Sequence, residues 1–330
     1  MENIPNGTQI TAPNYLAGIK QTNEILDPVV CNGIKSGYVT HDYNDNGLKM
    51  GNLTIVTGKT GSGKSQWVTQ VVISALRQNV NTFMFVGETS LAKEKHKLVR
   101  LTAKPNEIVC NYGLAGVRLY SPCKEAVVRF DEMFQHLLYL TDVTSIRDSK
   151  LNPSLFGKVL IAMKNMAKDN KVKLFILDNL MVLCEKSGNA IFDEQKKITL
   201  SLKTFAEEAK VHVILVAHPK KGEGNQDISG ATEIQNLSDT IVRYVRIGDA
   251  ERASLIKVNP DKKDYYKRIS ATMITEKIRD DGQQRTAYFE WEPERGILFD
   301  LSEIKAAAEY EQQGWWTRAV NKQKIVDIYY

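Results

Sequence analysis

The feature that most constrains this 330-residue chain is a glycine-rich octapeptide that lies between a predicted strand and a predicted helix. The run from Leu53 to Thr57 is short, apolar and β-branched, as expected of a buried strand. Beyond the octapeptide, apolar residues recur at helical spacing at Val68, Val71, Val72, Ala75 and Leu76. The octapeptide itself is Gly58-Lys59-Thr60-Gly61-Ser62-Gly63-Lys64-Ser65, which in this setting is a complete Walker A loop.

A loop of this kind binds the phosphates of a nucleotide. Its glycines let the backbone wrap around the phosphates, and its N–H groups and the N-terminus of the following helix attract anionic oxygens. Lys64 is predicted to reach the β- and γ-phosphates, and the hydroxyl of Ser65 is predicted to bind Mg²⁺. A glycine turn without nucleotide is the alternative, but the flanking strand and helix favour a site for ATP, or another NTP, with Mg²⁺.

Strands and helices alternate along the chain after this loop, which predicts an α/β fold with a mostly parallel central sheet. Further strands are predicted at Thr82 to Val86, Leu138 to Thr144, Lys173 to Leu177, His212 to Ala217 and Thr240 to Arg246. Three consecutive strands then predict a C-terminal β-meander at Ile269 to Lys277, Thr286 to Trp291 and Gly296 to Asp300. Asp281-Gly282 and the segment from Pro293 to Arg295 are the predicted turns.

The sequence divides into three predicted regions. Residues 1–50 are rich in Asn, Gly, Pro and Thr and are interpreted as an arm or linker, residues 51–301 as the nucleotide-binding domain, and residues 302–330 as a helical tail. The tail carries four aromatic residues, which are expected either to fold back on the domain or to contact a partner: Trp315, Trp316, Tyr329 and Tyr330.

Composition excludes several classes of protein. Hydrophobic residues at 42% and charged residues at 25% are typical of a globular protein, and the net charge of +5 favours a polyanionic partner only mildly. Residues 1–17 lack the basic and apolar regions of a signal peptide, and no apolar run approaches the roughly 20 residues that span a bilayer. The four cysteines are scattered, without zinc-site spacing. We therefore expect a cytoplasmic chain without a membrane partner.

Three polar residues follow predicted strands, where a parallel sheet gathers its functional groups. Asp178 ends the apolar run from Leu174 and has the form of a Walker B acid, which would share Mg²⁺ with Ser65. Glu88 is a candidate to deprotonate the attacking water, and His218 is a candidate sensor of the γ-phosphate. The alternatives are a helix cap for Asp178, a solvated loop acid for Glu88 and a structural histidine for His218.

The order of these motifs resembles the DnaB-like superfamily of hexameric replicative helicases, and most of all the branch that contains the mitochondrial helicase Twinkle and the helicase half of phage helicase–primases. The resemblance extends from about Gly33 to Phe299. It includes the opening Gly33-Ile34-Lys35-Ser36-Gly37, the approach from Gly47 to Gly51, Val86-Gly87-Glu88, and Ile176-Leu177-Asp178-Asn179-Leu180. It implies a RecA-like P-loop NTPase core.

The resemblance also implies roles for residues outside the phosphate loop. Ala217-His218-Pro219-Lys220-Lys221 is similar to a histidine sensor followed by a basic DNA-contacting loop, and Asp227-Ile228-Ser229-Gly230-Ala231 is similar to a loop that lines the central channel. The implied DNA-binding residues are Lys220, Lys221, Ser229 and Gly230. Lys277 and Arg279 resemble a Lys-x-Arg element that enters the neighbouring subunit's ATP site, with Arg279 as arginine finger, and Trp291 resembles an aromatic residue near the adenine.

These observations predict an Mg²⁺-dependent, DNA-stimulated ATP hydrolase that translocates on single-stranded DNA as a homo-oligomeric ring, with a hexamer expected. Only about 50 residues precede the core and zinc-ligand cysteines are lacking, so we expect a separate primase, loader or polymerase partner. A recombinase-type or accessory DNA-dependent ATPase without unwinding activity is the main alternative. A small-molecule kinase shares the Walker A loop, but it would need an acceptor pocket and a lid.

Overall fold

The structure of the protein, a computed structural model, describes residues 33–45, 47–113, 116–147, 153–188, 190–218, 231–279, 285–304 and 306–320. In chain order, its strands are β1 Leu53–Gly58, β2 Thr82–Val86, β3 Ile108–Tyr112, β4 Arg118–Pro122, β5 Leu138–Asp142, β6 Leu174–Asp178, β7 His212–Val216, β8 Thr240–Arg246, β9 Ile269–Ile278, β10 Arg285–Glu292, β11 Ile297–Ser302 and β12 Thr317–Ala319. All but β3 and β4, which form a separate hairpin, belong to one ten-stranded sheet.

Helices connect many of these strands and lie on both faces of the sheet. In chain order they are α1 Val39–Asp45, α2 Lys64–Arg77, α3 Leu91–Thr102, α4 Lys124–Phe134, α5 Val143–Arg147, α6 Leu155–Asp169, α7 Leu180–Leu183, α8 Ala190–Ala209, α9 Ala231–Leu237, α10 Asp249–Val258, α11 Lys263–Arg268 and α12 Ala307–Gln312, with short 3-10 helices at Pro105–Glu107 and Pro260–Lys262. Among the described residues, no helix combines the length and the apolar character that a bilayer crossing requires.

The strand order in the large sheet is β12-β11-β10-β9-β8-β1-β7-β6-β2-β5. The six strands from β8 to β5 are parallel to one another, whereas β9, β10 and β11 continue the sheet as an antiparallel meander. This arrangement confirms the α/β fold class, the mostly parallel sheet and the C-terminal meander. The turn predicted at Asp281-Gly282 lies outside the described residues.

The parallel strands are buried on both faces, so their apolar runs are nearly continuous rather than alternating. Within β1, Val56 packs on the face covered by α2, together with Trp67 and Val71 of that helix. Leu53 and Ile55 point to the other face, which is covered by α6 and α8. The two layers fix the sheet between helices and leave the ends of the strands available for polar groups.

The boundaries differ from the sequence-based expectation in three places. The strand expected to reach Thr144 ends at Asp142, whose carboxylate accepts hydrogen bonds from the N–H and hydroxyl of Ser145 and thereby starts α5. Part of the predicted arm is folded into the core before residue 50, since Tyr38 is fully buried. In the tail, Trp316 folds back: its Nε1 donates to Ser74 Oγ at 2.6 Å, and β12 extends the sheet.

Candidate nucleotide-binding site

The polar residues singled out from the sequence converge where the parallel strands end. The loop after β1, residues Gly87 and Glu88 after β2, Asp178 and Asn179 at the end of β6, and His218 after β7 lie along one edge, because β1, β7, β6 and β2 are neighbours in that order. We call this the carboxyl edge. A parallel sheet presents its ligand-binding loops at this edge.

The phosphate loop is held in its curved form by close backbone approaches. At Gly58, φ is +141° and a Cβ atom would lie 2.2 Å from the carbonyl oxygen of Tyr244, so only glycine fits. The ammonium group of Lys64 donates to the carbonyl oxygens of Gly58 at 2.6 Å and of Lys59 at 2.9 Å. Burial lowers the pKa of Lys64, and the negative charges of Asp178 and Glu88 oppose that shift. The buried ammonium group therefore lies inside the loop, where a phosphate would bind.

Ser65 and Asp178 form an oxygen-rich pair beside Lys64. The Ser65 side chain is hydrogen-bonded to the Asp178 carboxyl group, which is only 9% exposed. Burial raises the pKa of Asp178, and the hydrogen bond from Ser65 acts in the opposite direction. Hydroxyl and carboxylate oxygens are ligands that Mg²⁺ accepts, and the ion commonly takes only one or two protein carboxylates together with phosphates and water. The pair fits the predicted magnesium site.

A second buried acid, Glu94 on α3, stands behind this pair and was missed by the sequence analysis. Its carboxylate accepts the hydroxyl of Thr69 at 2.8 Å and forms an ion pair with Lys97 at 2.7 Å. The negative charge of Glu94 contributes to the raised pKa of Asp178. Thr69 and Glu94 lie 25 residues apart in sequence, so only the packing of α2 against α3 brings them together.

Glu88, Asn179 and His218 form a triangle at the centre of the carboxyl edge. The Asn179 side-chain amide donates to Oε1 of Glu88 and lies 2.9 Å from Nε2 of His218, which is 3.3 Å from the same Glu88 oxygen. Asn179 is fully buried, whereas the Glu88 side chain is 55% exposed and can meet a water molecule. The sequence analysis quoted Asn179 within the Walker B segment but gave it no role.

Gly87 allows this triangle to close. Its N–H donates to the carbonyl oxygen of Asp178 at 2.5 Å, which joins the end of β2 to the end of β6. A Cβ atom at this position would lie 2.8 Å from Cβ of Val182 in α7, too close for any side chain. A glycine before Glu88 is therefore a steric requirement, and it brings the Glu88 carboxylate within reach of Asn179.

Lys277 and Arg279 lie at the opposite edge of the sheet, away from the phosphate loop of the same chain. Ile278 pairs with Thr240 at the start of β8, while Gly58 pairs with Tyr244 four residues further along that strand. Four residues of strand span about 13 Å. The structure does not bring these two residues to the other predicted site residues within one chain.

Both residues hold the end of α9. Lys277 Nζ donates to the carbonyl oxygens of Gln235 at 2.6 Å and Ser238 at 2.7 Å, and Arg279 Nη2 donates to that of Asn236 at 2.7 Å. Burial lowers the pKa of Lys277, and the positive charge of Arg279 adds to that effect. The side chain of Arg279 remains 51% exposed.

The other predicted ligand-binding residues fall into two groups. Trp291 is 40% exposed on β10 and pairs with Leu298 of β11, whose backbone is hydrogen-bonded to Gln70 of the phosphate-loop helix α2. Its place near an adenine stays a prediction. The four predicted DNA-binding residues lie outside the described residues: Lys220, Lys221, Ser229 and Gly230. The segment that contains them begins directly after His218 and ends where α9 begins.

A Walker A loop between β1 and α2, with an acid at the end of a neighbouring parallel strand, defines a P-loop nucleotide-binding fold of the RecA-like kind. A family model described as the DnaB-like helicase C terminal domain matches residues 33–294. The match covers most of the chain, and the chain belongs to this family. This confirms the resemblance found in the sequence at the level of the superfamily, while the narrower branch stays a prediction.

Among individual proteins, the chain is 22% identical over 195 residues to the replicative DNA helicase DnaB of Mycoplasma pneumoniae, covering 56% of this chain and 39% of that protein. It is 23% identical over 200 residues to the replicative DNA helicase DnaB of Helicobacter pylori, covering 59% of this chain and 38% of that protein. The matches therefore span about two fifths of the length of these relatives.

Solved structures show the same fold. An ATPase domain of known structure superposes with a TM-score of 0.61 at 14% identity, covering 88% of this chain and 99% of that one. A DnaB-like replicative helicase, solved to describe its interactions with primase, superposes with a TM-score of 0.60 at 15% identity and covers 90% of this chain and 69% of that one. These superpositions confirm the predicted RecA-like architecture.

Proposed function

We propose that this protein hydrolyses ATP, or another NTP, at interfaces between the subunits of a ring, and that it uses the cycle to move along single-stranded DNA and separate the duplex. One observation carries the proposal: the residues predicted to complete hydrolysis are split between opposite edges of the sheet. Lys64 and Asp178 lie at the carboxyl edge, and Arg279 lies about 13 Å away along the strand direction. A subunit that presents one edge to its neighbour's other edge would assemble a complete site.

The roles follow from the chemistry of each group. The N–H groups of the phosphate loop and the ammonium group of Lys64 bind the phosphates, and Ser65 and Asp178 hold Mg²⁺, which supplies positive charge next to the reacting phosphate. Glu88 accepts the proton of the attacking water as the new bond to the γ-phosphorus forms and the bond to the ADP oxygen breaks. His218 senses the γ-phosphate, and Lys277 and Arg279 of the neighbouring subunit neutralise the charge on the transferred group.

Translocation requires that hydrolysis be linked to DNA binding. The segment with Lys220, Lys221, Ser229 and Gly230 joins His218 at one end to α9 at the other. The far end of α9 is held by Lys277 and Arg279. Lysines and glycine-loop N–H groups bind phosphates without reading bases, as tracking along a strand demands. A loop attached to both groups would feel a change at either one.

The test is the rate of ATP hydrolysis with and without single-stranded DNA, measured beside the mass of the assembly by light scattering and the unwinding of a forked duplex. We expect stimulation by DNA, a roughly hexameric mass, and loss of at least about a hundredfold in rate in Lys64→Ala, because the phosphates lose their buried cation. The matched control is Lys95→Ala, a partly exposed lysine on α3 that pairs with Asp131.

Other outcomes would favour the remaining candidates. Strand exchange by open filaments, without unwinding, would indicate a recombinase-type protein. Hydrolysis by a monomer that ignores DNA would indicate an accessory ATPase and would remove the roles of Lys220, Lys221 and Arg279. Normal turnover by Lys64→Ala would contradict the assignment of the nucleotide site itself.

A further inference from the structure

The orientation of the Asn179 side chain is fixed by the start of α7. Its Oδ1 accepts the N–H groups of Met181 at 3.0 Å and Val182 at 3.3 Å. Only the oxygen of an amide side chain can accept these two bonds, so the NH₂ group must point the other way. The residue is fully buried, which leaves no room for the reversed arrangement to be rescued by solvent.

The NH₂ group of Asn179 has two N–H bonds and two neighbours. One hydrogen bond reaches Oε1 of Glu88, and the other contact is Nε2 of His218 at 2.9 Å. Because an N–H donates and needs an acceptor, Nε2 of His218 must carry a lone pair and not a proton. A neutral His218 then has its proton on Nδ1, a buried atom for which the described residues provide no hydrogen-bond partner.

We infer that Asn179 is a positioning residue that sets two groups at once: it holds the carboxylate of Glu88 and it selects the Nδ1-protonated tautomer of His218. The inference rests on the proposed function, in which Glu88 receives the proton of the attacking water. A hydrogen bond to a carboxylate is stronger than one to a neutral acid. When Glu88 becomes protonated, its bond with Asn179 weakens, and the amide that links Glu88 to His218 carries that change to the residue that precedes the predicted DNA loop.

A purely structural role for Asn179 would involve only its oxygen, which caps α7. Replacement by serine separates the two halves of the side chain, because a serine hydroxyl also caps helices but offers no amide N–H groups. Asn179→Ser should therefore keep α7 and lose the link between Glu88 and His218. Asn179→Asp keeps a capping oxygen as well, but it places an acceptor opposite His218 where the wild-type chain has a donor.

The direct test is the tautomer of His218, read by ¹⁵N NMR on the whole 330-residue chain with labelled histidine under mildly alkaline conditions, without nucleotide or DNA. The chain has five histidines, and His218→Gln identifies the signal of interest. We expect the Nδ1-protonated form in the wild-type chain, a gain of the Nε2-protonated form in Asn179→Ser, and a majority of that form in Asn179→Asp. An unchanged tautomer in both variants would overturn the inference.

Kinetics provide the second readout. In Asn179→Ser we expect kcat for ATP to fall by about tenfold to a hundredfold, because a misplaced general base loses that much, while KM and the affinity for a fluorescent ATP analogue stay within about twofold. Asn81→Ser is the control, since Asn81 is also a partly buried amide but donates to the Asn170 carbonyl far from the site. A shifted tautomer with wild-type kcat would remove the positioning role.

The two arms separate this inference from the proposed function. If the wild-type chain showed no ATP hydrolysis, the proposed function would fail, and the role of Asn179 in catalysis would fail with it even if the tautomer changed as expected. If DNA-stimulated hydrolysis were present and the tautomer did not respond to Asn179→Ser, only the inference about Asn179 would be wrong.

Discussion

The two edges of the parallel sheet hold their functional groups in different ways. At the carboxyl edge, Glu88, Asn179 and His218 bind one another, and the buried ammonium group of Lys64 lies between loop carbonyls. At the opposite edge, Lys277 and Arg279 contact main-chain carbonyls of α9. The carboxyl edge is thus a network of side chains that position one another, whereas the opposite edge presents cations on a helix end.

This difference teaches how roles are divided in a site shared between subunits. Groups that perform chemistry need fixed geometry before substrate arrives, and buried side-chain networks supply it. A group that enters from a neighbour must instead leave its own chain's surface, and Arg279, half-exposed and tied mainly through one carbonyl contact, is able to do so. The comparison predicts that damage at the two edges will differ in kind as well as in size.

The largest effect should come from Arg279→Ala. We expect the DNA-stimulated rate of hydrolysis to fall by about a thousandfold, since an arginine finger contributes at least that much, while nucleotide binding by the carboxyl edge is kept. The decisive measurement mixes this variant with Lys64→Ala. Each subunit lacks what the other retains, so mixed rings should regain activity that neither variant has alone.

Arg252→Ala is the matched control for this experiment. Its guanidinium group also donates to a main-chain carbonyl, that of Ile269 at 3.0 Å, but it lies at the other end of β9. Its rate should stay near that of the wild-type chain. If mixing restored nothing, while both variants formed rings, Arg279 would not act on a neighbour and the comparison between the edges would lose its functional meaning.

A smaller effect concerns folding in acid, which should involve the opposite edge. His212 begins β7, where Nδ1 contacts the Lys49 carbonyl oxygen at 2.8 Å and Nε2 contacts Thr54 Oγ1 at 3.1 Å, and burial lowers its pKa to about 4 from 6.5. Between these values the unfolded chain binds a proton and the folded chain does not. Stability therefore falls as the pH drops from 6.5 to 4, by about 3 kcal/mol from this group.

His212→Gln should lack that loss, as measured by urea unfolding across this pH range relative to the wild-type chain. Asp300→Asn is a control of opposite sign. Burial raises the pKa of Asp300 to about 7, so its folded form binds the extra proton and the wild-type chain loses stability as the pH rises towards 7. The asparagine variant should gain over wild type in that direction. Parallel curves for His212→Gln and wild type would show that the imidazole does not govern acid sensitivity.

The smallest effect should follow from Lys277→Met, which keeps the chain length and removes the ammonium group. The carbonyls of Gln235 and Ser238 lose their charged donor, which should lower the free energy of unfolding by about 1–2 kcal/mol and Tm by a few degrees. Nucleotide affinity of the isolated subunit should not change. Lys267→Met, a substitution at an exposed lysine paired with Asp264, should leave Tm unaltered, and an equal shift in both variants would contradict the specific role of Lys277.

The sequence predicted those parts of the molecule that depend on neighbours in the chain. The phosphate loop is one continuous motif, and the acid at the end of β6 follows an apolar run, so Lys64 and Asp178 were recognisable without a structure. Asn179 and Glu94 were not, because their meaning depends on contacts 91 and 25 residues away. The early burial of Tyr38 escaped for the same reason, since its packing partners lie on α2 and in the meander.

The separation of Arg279 from the phosphate loop has a further consequence for counting. If each site needs both edges, a row of n subunits with two ends contains n − 1 complete sites, and closing the row into a ring adds the last one without adding a subunit. A pair of subunits would run at half of its nominal capacity. Activity per subunit would then rise with concentration in steps, and the final step would report closure of the ring.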